Sequence, residues 1–308
     1  MLLSATSLDM NMTSVVSDRR AALVIAHPGH ELCVYGWLET VRPRVFILTD
    51  GSGRSGQSRL KSTEKILSAV GACRGSIFGR FSDLSIYAAI LESNFAIFEQ
   101  LVIELADAFV RDKIEYVAGD AAEGYNTIHD TCRILIDAAV ELANRISNRL
   151  IANTDFLLFG PHREKAEDGS ICLKLDDDVL GRKLAMARSY RGLNSEVSAM
   201  LDKTMLDSLR NSHELAAEFR EVMNAMGDEA YRIECLRRVE NRPQTIDGTE
   251  QTPFYERYAE ERVAAGIYEQ AIRYQDHMVP ISEAIRAFVD RQIANGFSNI
   301  ASEVEASS

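Results

Sequence analysis

The sequence predicts an α/β fold: a Rossmann-like, mainly parallel sheet with helices on both faces, followed by a C-terminal helical extension. Short apolar runs of the buried-strand kind recur through the first half of the chain, each ending in a polar loop. Longer segments with apolar residues at helical spacing lie between them. Strands and helices alternating in this way specify parallel pairing through crossover helices.

The first strand is the apolar run AALVIA at residues 21–26, broken at once by His27, Pro28, Gly29, His30 and Glu31. Pro28 and Gly29 supply a sharp exit, and LCVYGWLE opens the first helix. Residues 44–49, RVFILT, form a second strand that runs into Asp50 and the loop GSGRSGQSR. A helix over 60–70 then stops at Gly71. Residues 76–79 read as a short third strand and 85–111 as one helix; 114–118, IEYVA, form a fourth strand ending in Gly119 and Asp120. A helix over about 128–143 follows, and 156–159 close the set as a fifth strand.

Beyond Gly160 a polar loop leads into a helical stretch from Asp176 to Met226, broken near Gly192. Residues 231–239 alternate as a late strand, and the polar segment ENRPQTIDGTEQTP precedes a helical tail over about 254–293. The expected organisation is a loose leader over 1–18, an α/β domain over 19–240, and a linker with helical tail over 241–308.

The chain has 308 residues, 46% of them hydrophobic, enough for one large core with an appendage. A formal net charge of -12 argues against a nucleic-acid partner, which needs clustered Lys and Arg, and against an anionic membrane surface. The five cysteines are odd in number and scattered, with no CxxC spacing. They predict a reducing compartment, and neither a disulfide framework nor a thiolate zinc site. With no secretory n-region and no run of about 18 apolar residues, the expectation is a cytoplasmic protein without a membrane span.

In a doubly wound sheet, ligands bind outside the carboxyl ends of the strands. His27 and His30 leave the first strand there, and His129 opens the helix after the fourth strand onto the same crevice. Three imidazoles can hold Zn²⁺, one per chain, and leave a fourth position for water. The same loops carry Glu31, Asp120, Glu123 and Asp130.

AHPGHE resembles the AHPDDE signature of the PIG-L/LmbE-like zinc-dependent N-deacetylases. LTDGSGRSG resembles that family's glycine-containing loop, RLKSTEKILSAVGA its following helix, and YNTIHD its HxxH segment, together covering residues 21–133. The resemblance implies a metal-dependent hydrolase that removes an N-acyl group from an amino sugar or related small glycoconjugate. His27, His30 and His129 fall on the metal-ligand positions, and Arg59 and Asp83 on the pocket-lining segment as polar substrate contacts. The family's general-base position is Gly29, which has no side chain, and the first HxxH histidine is Asn126.

A replacement proton carrier is therefore expected among Glu123, Glu31 and Asp120, with Glu123 placed first. Tyr125 and Asn126 are expected at the oxyanion. Loss of the base also admits a second reading, a degenerate member that binds a sugar or nucleotide-sugar without hydrolysis. Gly51 to Gly56 fit a dinucleotide fingerprint literally, but follow the second strand and lack the acidic ribose partner. The tail's Phe254, Tyr258, Val263, Ile267 and Ile272 read as a packing or homodimer face, with a lid over the crevice as the functional alternative.

Overall fold

The computed structural model describes residues 20–158, 170–190, 231–239 and 252–295. Seven strands form one sheet in the order β3-β2-β1-β4-β5-β7-β6. β1 (Ala21–Ile25), β2 (Arg44–Thr49), β3 (Cys73–Phe81), β4 (Tyr116–Asp120) and β5 (Ala152–Phe156) run parallel. β6 (Ile171–Lys174) and β7 (Ile233–Arg238) extend the sheet antiparallel.

The helices are α1 (Tyr35–Val41), α2 (Leu60–Val70), α3 (Asp83–Leu91), α4 (Phe95–Arg111), α5 (Thr127–Ser147), α6 (Asp177–Ser189), α7 (Phe254–Ala264) and α8 (Val279–Ala294). β1 is buried along its whole length, and its side chains divide by the period of two. Ala22 and Val24 face a core with α3, α4, α5 and α8, whereas Leu23 and Ile25 face one with α1 and α2. Helices thus cover both faces, as the continuous apolar character of the strand requires.

The chain moves outward from β1 through β2 to β3 and then returns to the other side of β1 as β4. The adjacent carboxyl ends of β1 and β4 are therefore the switch point at which an open α/β sheet forms its crevice.

Several boundaries differ from the sequence expectations. The helix expected over 85–111 is two helices, because Ser93 takes a positive φ of 52° and Asn94 turns the chain into α4. β5 lies at 152–156, earlier than expected, because Thr154 and Phe156 supply its buried positions despite the polar residues between them. β6 was not anticipated, since its half-buried edge position lacks a continuous apolar run. The predicted helix beyond residue 190, the leader and most of the linker lie outside the described residues.

Two expectations about the periphery change more substantially. Cys172 and Cys235 are directly opposed on β6 and β7 and are joined as a disulfide, which corrects the expectation of none. An odd cysteine count cannot reveal which two residues a sheet register will bring face to face. The tail is also not a uniform stripe: Phe254 and Ile272 are buried, while Ile267 is 54% exposed. Ile281, Ile285, Phe288 and Val289 of α8 complete the core against α4 and α5. No helix among the described residues is long and apolar enough to cross a membrane.

Candidate functional site

β1 ends at Ile25, and the chain turns through His27 into a 3₁₀ turn over His30–Val34. The turn depends on Gly29, whose φ of 114° is accessible to glycine and strained for any side chain. Glu31 fixes it from within. One carboxylate oxygen accepts from the Gly29 amide at 2.7 Å and the other from Thr63 Oγ1 at 2.6 Å. Burial pushes the Glu31 carboxyl above its ordinary range, against these stabilising bonds.

On the neighbouring strand, β4 ends in Asp120, and α5 begins after a short loop. Asn126 caps α5 by accepting from the Ile128 amide at 2.8 Å, and its amide group donates to Tyr87 Oη at 3.2 Å. His129 therefore sits in the first turn of α5, facing the histidines that leave β1.

The three imidazoles meet edge to face. Ring centroids are 5.3 Å apart for His27 and His30, 5.0 Å for His27 and His129, and 4.6 Å for His30 and His129. His27 Nδ1 lies 2.8 Å from Thr49 Oγ1 and 2.9 Å from Asp83 Oδ1. His30 Nδ1 lies 2.8 Å from Asp120 Oδ2, which also accepts from the Ala26 amide at 2.7 Å. Two of the three rings therefore have Nδ1 engaged by a carboxylate, the arrangement that fixes a tautomer and keeps Nε2 available as a donor to a metal.

Burial pushes His27 down, and the contact with Asp83 only partly offsets it; His129 is pushed well down by burial. Both rings are thus held neutral, the state a metal ligand needs. Burial raises Asp83, but the combined contacts with His27, the Thr49 hydroxyl and the Gly53 amide outweigh it and keep the carboxylate ionised. A neutral imidazole donating to a carboxylate describes this pair.

The buried atoms without a hydrogen-bond partner among the described residues include His129 Nδ1 and Asp120 Oδ1 at the cluster. Such atoms mark a place for water or an ion. Three imidazoles around one tetrahedral ion would have centroids about 5 Å apart. The donor chemistry and spacing therefore fit a metal. As they stand, no three His, Cys, Asp or Glu side chains among the described residues are arranged to hold one, so closure on an ion requires the rings to turn.

The remaining expected residues are distributed unevenly. Arg59 leads into α2, with its guanidinium where a side chain on Gly51 would be, and its charge further disfavours protonation of His27 and His129. Glu123 accepts from the Leu158 amide at 3.0 Å, tying the loop after β4 to the end of β5. Asp83, expected to touch substrate, is 4% exposed and turned toward His27 and the Gly53 amide. Tyr125 stacks on Phe254 of α7 with a centroid distance of 4.9 Å, and the Tyr255 amide donates to the Gly124 carbonyl. The tail thereby reaches the loop leading to His129.

Sequence reasoning missed Thr49 as a partner of His27 and Thr63 as a partner of Glu31. Thr49 was accessible in principle: in a parallel pair with Ile25 opposite Ile47, a hydroxyl at the end of β2 borders the exit of β1. Asp130 was noted only as a nearby acid. Burial pushes its carboxyl up to about 7 although the Gly124 and Glu123 amides donate to it.

No family model and no curated protein matches the chain. Among solved structures, the A40926 pseudoaglycone deacetylase Dbv21 is 16% identical, with a TM-score of 0.43 over 73% of this chain and 99% of its own. The conserved protein TT1542 from Thermus thermophilus is 18% identical, with a TM-score of 0.43 over 75% of this chain and 99% of its own. Teicoplanin deacetylase Orf2, in its zinc-inhibited form, is 12% identical, with a TM-score of 0.43 over 72% of this chain and 100% of its own.

Proposed function

We propose that the chain is a metal-dependent hydrolase that removes an N-acyl group from an amino sugar or related small glycoconjugate amide. The observation that carries this reading is the three-imidazole cluster at the β1/β4 switch point, with His27 and His129 buried, His30 half-buried, and carboxylates on Nδ1 of two rings. The resemblance of AHPGHE and YNTIHD to the PIG-L/LmbE-like signatures supplies the substrate class. His27, His30 and His129 would hold Zn²⁺, which when bound polarises an acyl oxygen and lowers the pKa of water to about 7.

The protein's own groups divide the remaining work. Thr49 and Asp83 orient His27, and Asp120 Oδ2 orients His30. Of the three carboxylates, Glu31 has one oxygen committed to the Gly29 amide and the other to Thr63 of α2, and Glu123 anchors Leu158. We therefore assign the proton to Asp120 Oδ1, the oxygen without a partner among the described residues. It accepts a proton from the attacking water and returns it to the leaving amine, so that the amide and one water become a carboxylate and an ammonium. Arg59 supplies positive charge for polar substrate oxygens, and Tyr125 lies on the loop beside them.

Gly29 favours a second reading, binding without hydrolysis. A carboxylate cannot be restored there without strain, because φ is 114°. The two readings separate on amine release from N-acetylglucosamine and di-N-acetylchitobiose by the zinc-loaded protein. Release that disappears in His129→Ala supports the hydrolase. Saturable sugar binding with no amine release supports the binding protein.

A further inference from the structure

The cross-strand disulfide lies outside the histidine cluster, yet both strands it joins press on the segment that carries His30. Cys172 is on the edge strand β6 and Cys235 on β7, with Cα atoms 4.2 Å apart and 63 residues between them in sequence. Leu175 follows β6 directly and packs over Gly36 at the start of α1 so closely that any side chain on Gly36 would strike it. From β7, Glu234 accepts from the Gly36 and Trp37 amides at 2.9 Å each, closing donors at the N-terminus of α1.

Lys183 of α6 joins the same group. Its ammonium donates to Glu234 at 2.9 Å, to the Tyr231 carbonyl at 3.1 Å and to the Cys33 carbonyl at 3.4 Å. Cys33 belongs to the 3₁₀ turn that begins at His30. The β6-α6-β7 layer thus holds that turn and α1 through one buried ion pair and one close apolar contact. β7 is fastened to β5 by Arg237 and Asp155, but β6, at the sheet edge, pairs only with β7 among the described strands. The disulfide is the covalent part of that pairing.

We propose that the Cys172–Cys235 disulfide is a thiol-responsive clamp on the segment from His30 through α1. A dithiol reductant opens it. Two electrons and two protons pass to the sulfurs, the Sγ–Sγ bond breaks into two thiols, and the dithiol becomes a disulfide. With β6 held by backbone pairing alone, Leu175 loses its fixed placement over Gly36, the start of α1 is covered less tightly beside the Glu234 bonds, and the 3₁₀ turn opens more often. The clamp is independent of which chemistry the histidines perform.

The test uses the full chain, oxidised with glutathione disulfide and then treated with dithiothreitol. Thiol titration under denaturing conditions should count three thiols before reduction, from Cys33, Cys73 and Cys132, and all five cysteines after it. Amide exchange at Gly36 and Trp37 should accelerate about tenfold on reduction while β1 and β4 keep their protection. Cys172→Ser should show the faster exchange with or without dithiothreitol. Five thiols in the oxidised sample would overturn the proposal. So would unchanged exchange at Gly36 and Trp37, or exchange accelerated equally throughout β1 and β4, which would make the bond a staple of the whole fold.

Discussion

Asp120 Oδ2 lies 2.8 Å from His30 Nδ1 and 2.7 Å from the Ala26 amide, so one buried carboxylate joins the end of β1 to the ring that follows it. Its other oxygen has no partner among the described residues. This division gives the two oxygens different consequences on mutation. Asp120→Asn retains an oxygen for His30 and Ala26, so bound zinc should be kept while amine release falls about 10²–10⁴-fold. Asp120→Ala should also weaken zinc binding about 10–100-fold. Chelator competition and a fluorogenic amine assay on the same preparations separate the effects.

Asn126 distinguishes a cap from an oxyanion contact. Its side chain accepts from the Ile128 amide, so Asn126→Ala should lower stability by about 1 kcal/mol in urea unfolding. Asn126→Ser restores a capping oxygen and should recover both stability and amine release. Recovery of stability alone would place the amide itself in the chemistry.

Lys183 and Glu234 are both buried, and Glu234 accepts three bonds at 2.9 Å. Lys183→Met leaves the carboxylate without its cation and should cost about 3–5 kcal/mol. Adding Glu234→Gln to Lys183→Met should recover part of that loss. The urea midpoint of the double variant above that of Lys183→Met is the expected result.

Gly29→Asp would return a carboxylate to the position at which the resembling family has its base. The backbone there has a φ of 114°, so the substitution should cost about 1–3 kcal/mol and raise no activity. Thermal unfolding and amine release of the variant check both halves.

The organisation of this region was legible because its parts are local. An apolar run broken by HPGH specifies a buried strand with histidines at its carboxyl end, and the alternation of elements places His129 beside them. The partners of those rings were harder to see. Asp83 and Thr49 meet His27 only through the side-by-side placement of β1, β2 and the start of α3. The Cys172–Cys235 pair was illegible for the same reason, since it depends on the register of two antiparallel strands 63 residues apart in sequence. Asp120 was visible as a nearby acid, but the difference between its two oxygens exists only in the packed structure.

The most direct test is the metal content of the purified full chain by elemental mass spectrometry, measured beside His30→Ala and His129→Ala after zinc loading and removal of excess ion. The account predicts about one zinc per chain in the wild type, lost in both variants. A wild type without zinc under these conditions, or variants with unchanged zinc, would contradict it.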